Sequence, residues 1–62
     1  MEWKIWIGKK IFIRTKSGRV YSGMVQEVDD SNPHLIWLSM LDKFNDLVQF
    51  SVEEILEIKE ED

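Results

Sequence analysis

The chain has 62 residues, 44% of them hydrophobic, and a formal charge of −4, which fits a single small domain over residues 1–62 and leaves no room for a second. With no cysteine and one histidine, neither a disulfide framework nor a structural metal can support a core that, at this size, buries only about 60% of the unfolded surface. Dense aromatic packing or self-association must then supply the rest, and no cofactor or metal is expected.

The opening EWKIWIG places Trp3, Ile5 and Ile7 in alternation but Trp3 and Trp6 at helical spacing, so the 1–7 segment reads equally as a short helix or an extra strand. In IFIRTK (11–16) the alternation of Ile11, Ile13 and Thr15 with Phe12, Arg14 and Lys16 predicts a first strand. Ser17-Gly18 supplies a tight turn in which Gly18 accepts positive φ. VYSGMVQEV (20–28) is a second, longer strand. Gly23 lies inside it, where a glycine weakens pairing unless the chain bends or another backbone comes close.

DDSNP (29–33) ends that strand, and LIWLSML (35–41) reads as a third, apolar enough to imply burial on both faces or a covered outer face. DKFND turns the chain into LVQFS (47–51), a fourth strand, and ILEIK (55–59) is a fifth. Between them Ser51, Val52, Glu53 and Glu54 have capping-box spacing, enough for one 3-10 turn. The terminal 60–62 is an acidic tail. Five short antiparallel strands with a single 3-10 turn before the last follow the order of an all-β small, strongly bent barrel of Src-homology type.

Charge divides along the chain. Before Val20, six basic residues face only Glu2, a net +5; from Val20 onward, Lys43 and Lys59 face eleven acids, a net −9. A basic face formed by Arg14, Lys16 and Arg19 could meet phosphate. No catalytic constellation can be assembled around one histidine without cysteine, and no small-molecule substrate is expected. No apolar run approaches the roughly 18 residues of a membrane span, and residues 1–8 lack a signal-peptide core. No membrane partner is therefore expected, and the absence of cysteine suits the cytoplasm.

The stretch IGKKIFIRTKSGRVYSGMVQEVD (7–29) resembles the first signature of the Sm and Sm-like proteins. Gly8, Lys9, Ile11, Ile13, Lys16, Gly18, Arg19, Tyr21, Gly23, Val25, Val28 and Asp29 carry that resemblance. It implies a barrel whose fourth and fifth strands pair between copies, in rings commonly of six or seven, with RNA at loops facing the pore. The implied interface here is Leu47, Val48, Gln49 and Phe50 against Ile55, Leu56, Glu57 and Ile58, and the implied loops are 29–34, with Asn32 and His34, and 51–54. The Arg-Gly pair of the second signature is replaced by Ser51-Val52, and Asp29, Asp30, Glu53 and Glu54 surround the loops. The expectation is thus a homo-oligomeric binding module whose RNA contacts, if made through Arg14, Lys16 and Arg19, are weak and sequence-independent. An assembly module with no nucleic-acid role is the alternative. It draws on the acidic loops and on Trp3, Trp6, Phe12, Val20 and Met24, too many large apolar side chains for one small core.

Overall fold

A computed structural model describes residues 2–61; Met1 of the 1–7 segment and Asp62 of the acidic tail lie outside the described residues. A 3-10 turn, η1 (Trp3–Trp6), leads into β1 (Lys10–Thr15), β2 (Val20–Asp29), β3 (Trp37–Asp42), β4 (Leu47–Ser51), a second 3-10 turn η2 (Val52–Glu54), and β5 (Ile55–Glu60). All five strands join one antiparallel sheet in the order β4-β3-β2-β1-β5. The sheet is not closed into a barrel, because β4 and β5 are not hydrogen-bonded to each other and stand at its two edges.

β2 is shared between two neighbouring strands. Its first half, Val20 to Met24, pairs with β1, and the segment from Gly23 to Asp29 pairs with β3, so that two neighbours overlap only at Gly23 and Met24. At Gly23 the β3 backbone sits where a side chain would be: a Cβ there would lie 2.8 Å from Asp42 Cα and from Leu41 C, and closer still to the Leu41 carbonyl oxygen. The second strand therefore requires glycine for close approach, its φ being ordinary. Gly18 is needed for the other reason, with φ of 90° in the β1–β2 turn.

The apolar alternation expected of β1 places Ile11 and Ile13 wholly inside. They join Val25, Val28, Leu38, Met40 and Phe50 in the core, and Tyr21 meets Phe50 edge-on with ring centroids 4.8 Å apart. Over residues 2–7 the chain forms η1, a 3-10 turn capped by the Glu2 side chain, after which Ile7 makes a single parallel bridge to Val25. Trp3 and Trp6 thereby close one side of the core while Val20 and Met24 stay exposed on the outer face. β3 begins two residues later than its apolar run suggests. Leu35 donates to the Asn32 carbonyl, so the Pro33 turn takes Leu35 and Ile36 out of the strand. The Ser51 hydroxyl accepts from Glu53 N–H at 3.2 Å and caps η2. Among the described residues no helix is long and apolar enough to cross a membrane.

Candidate interaction site

η2 holds two distant loops together. Lys16 N–H of the β1–β2 turn donates to the Glu54 carbonyl at 2.8 Å, and Val52 N–H donates to the Ile36 carbonyl of the β2–β3 loop at 2.9 Å. The structure thus brings Lys16 and Arg19 to one end of η2 and the loop containing Asn32 and His34 to the other.

The basic residues are not equivalent. Arg14 is exposed next to the end of β1, with Nε 3.7 Å from Glu57 Oε1 on β5, so part of its charge is met within the chain. Lys16 and Arg19 are exposed and form no ion pair among the described residues. In the other loop the polar groups serve the turn itself. Asn32 Oδ1 accepts from His34 N–H at 3.0 Å, and Asp29 Oδ1 accepts from the Ser31 backbone N–H and hydroxyl. Those two bonds to Ser31, the hydroxyl first, hold the Asp29 carboxyl below its usual range. Lys4 meets Asp30 at 3.3 Å, tying η1 to the same loop. Glu53 and Glu54 are exposed on η2.

The edges of the sheet have a definite hydrogen-bond polarity. Asp42 N–H donates to the Asp46 carbonyl and Glu61 N–H to the Lys10 carbonyl. In those registers the alternating bonds of an antiparallel ladder leave the N–H groups of Leu47, Gln49 and Ser51 on β4, and of Ile58 and Glu60 on β5, directed away from the sheet. Along the same edges Val48, Ile55 and Ile58 are half-buried against the core, whereas Leu47 and Leu56 are exposed. Phe50 is 4% exposed and Gln49 uses its amide on Ser39 Oγ at 3.2 Å, so of the fourth-strand interface residues Phe50 serves chiefly the core.

Two features had no linear signal. Between the β1–β2 turn and β4 lies an open cavity of about 380 Å³, lined by Tyr21, Val48 and Phe50 together with the polar residues Thr15, Ser17, Arg19, Gln49 and Glu54. A bulge also interrupts the β1–β5 ladder: Arg14 pairs with Glu57 and Thr15 with Ile55, leaving Leu56 as the extra residue. Three-dimensional placement of segments about thirty residues apart creates the first, and a ladder irregularity creates the second. Comparisons with protein-family models, curated proteins and solved structures return no match for this chain.

Proposed function

We propose that this chain is a non-catalytic, self-assembling β-module of Sm-like type, in which β4 of one copy pairs with β5 of the next and so closes each bent sheet through its neighbours. The observation that carries the reading is the strand order β4-β3-β2-β1-β5, which leaves one unpaired edge on each side of a very small core. Exposed edges invite pairing, and half-buried Val48, Ile55 and Ile58 would complete their burial at such a joint. An assembly also supplies the stability that 62 residues have difficulty providing alone. Light scattering during gel filtration tests the reading through the mass of the particle.

RNA binding in this proposal is weak and indifferent to sequence. Lys16 and Arg19 are free to meet phosphates, Arg14 is shared with Glu57, and Asn32 is engaged in its own turn. No base-reading pocket follows from that set. A second reading, an assembly module without nucleic acid, is favoured by one observation: Asp29, Asp30, Glu53 and Glu54 all stand exposed on the loops joined by η2. Repeated in every copy, those carboxylates repel phosphate. The absorbance ratio of freshly purified protein separates the two, since co-purified RNA raises the 260 nm signal. The absence of cysteine suits work in the reducing cytoplasm.

A further inference from the structure

Two adjoining hollows of about 290 and 600 Å³ share Ser22, Asp42, Lys43 and Glu61, and so form one groove across β1, β2 and β3. Its apolar lining is Phe12, Val20, Tyr21, Met24, Leu41 and Phe44, and apolar surface predominates in both hollows. Phe44 is 74% exposed, the most of any large apolar side chain described, yet its turn is firmly held. Phe44 N–H and Asp46 N–H both donate to Asp42 Oδ1 at 2.9 Å, and Lys43 N–H donates to the Ser22 carbonyl of β2 at 3.1 Å. An aromatic ring presented on a turn fixed at those points loses little conformational freedom when a partner covers it.

The charges around the groove are unequal in what they already hold. Both lining carboxylates are engaged: Asp42 caps the Phe44 turn, and Glu61 accepts from the Ser22 hydroxyl. Glu60, just beyond β1, is met by Lys9 at 3.8 Å. The lysines are not so met. Lys10 and Lys43 line the groove, Lys59 stands over the Phe12 ring at 5.3 Å and Lys43 over the Phe44 ring at 5.4 Å, and none of the three forms an ion pair among the described residues.

We propose that this groove docks an acidic peptide segment of another protein, its large apolar side chains against Phe12, Val20, Met24, Leu41 and Phe44 and its carboxylates toward Lys10, Lys43 and Lys59. Charge complementarity selects the occupant, because the groove offers cations without internal partners beside an apolar floor. Val20, Met24 and Leu41 make much of that floor aliphatic, which suits apolar side chains better than a run of stacked bases. The groove lies between the unpaired edges of β4 and β5, so joining those edges leaves it open, and the proposal does not depend on the self-assembly reading.

The test selects a random peptide library displayed on phage against the full chain and measures the recovered peptides, fluorescently labelled, by anisotropy. They should combine large apolar residues with aspartate or glutamate and be poor in lysine and arginine. Phe44→Ala and Lys43→Glu, both at exposed turn positions, should each weaken binding about tenfold or more with the circular dichroism of the parent. Lys16→Glu, outside the groove, should leave binding unchanged. No recovered peptide, a basic consensus, or binding indifferent to both groove variants would overturn the proposal. Loss of oligo-U binding in Lys43→Glu would give the groove to nucleic acid, and a smaller particle for Phe44→Ala would give it to a second copy; either result overturns the proposal as well. Self-assembly is judged separately, by the mass of the wild-type particle.

Discussion

Replacing Gly23 by alanine tests the close approach of β2 to β3 with the smallest possible change. The added Cβ would sit 2.8 Å from two β3 backbone atoms and nearer still to the Leu41 carbonyl oxygen, so backbone, not a flexible side chain, must yield. Overpacking of this kind costs about 1–3 kcal/mol. Separating β2 from β3 at the Gly23–Asp42 and Met24–Leu41 pairs also weakens at least one ladder hydrogen bond, a further contribution of about 0.5–1.5 kcal/mol. Together these give about 1.5–4.5 kcal/mol, or a melting temperature lower by about 10–35 °C for a domain of this size. Gly23→Val should cost more, although valine has the higher strand propensity by up to about 1 kcal/mol. Thermal unfolding followed by circular dichroism, with all proteins at one concentration, measures the shift. A Gly23→Ala protein that melts at or above the parental temperature would show that β2 and β3 do not approach as described, and the bent-strand reasoning would fail with it.

Glu60→Pro removes an outward-directed N–H from β5 without removing a β1–β5 hydrogen bond, so the assembly should dissociate while the far-ultraviolet spectrum persists; an unchanged particle mass places the joint elsewhere. Ser31→Ala deletes the hydroxyl that contributes most to lowering the Asp29 pKa, and a carbon-detected NMR titration should find that carboxyl shifted upward; no change would refute the assigned cause. Because the folded pKa of Asp29 is depressed, its contribution to loop stability is present above the ordinary aspartate pKa and is lost as pH falls through the folded value. For RNA, oligo-U and oligo-A should bind within a few-fold of each other by fluorescence anisotropy, with a log-log salt slope of roughly −1.4 from two phosphate contacts by Lys16 and Arg19. The double change Lys16→Glu and Arg19→Glu should abolish that binding, whereas Asn32→Ala should leave it intact. Strong, salt-resistant preference for U would contradict this assignment.

Local chemistry made most of the sheet legible in advance. Alternation in β1, the Ser17-Gly18 turn, the turn-forming DDSNP cluster and the Ser51 cap each depend on neighbours within a few residues, and each has its expected counterpart in the structure. Gly23 was informative because a glycine within a β pattern signals a backbone contact, here with Leu41 and Asp42. The ambiguity of EWKIWIG reflected competition between two periods, and tertiary packing of Trp3 and Trp6 on the core accompanies the 3-10 form. β3 starts later than its apolar run because such a run does not disclose that Asn32 and Pro33 draw Leu35 into their turn. The open edges of the sheet, the Arg14–Glu57 pair and the cavity beside β4 depend on which segments meet in space. Residues separated by tens of positions set those contacts, and no local pattern encodes them.

The central claim is that β4 and β5 complete each other between copies, and the mass of the particle in solution tests it most directly. Light scattering coupled to gel filtration at high micromolar concentration should return a discrete multiple of 7.4 kDa that persists on moderate dilution. A single species at 7.4 kDa would contradict the account, since both sheet edges would then remain unpaired in the functional protein.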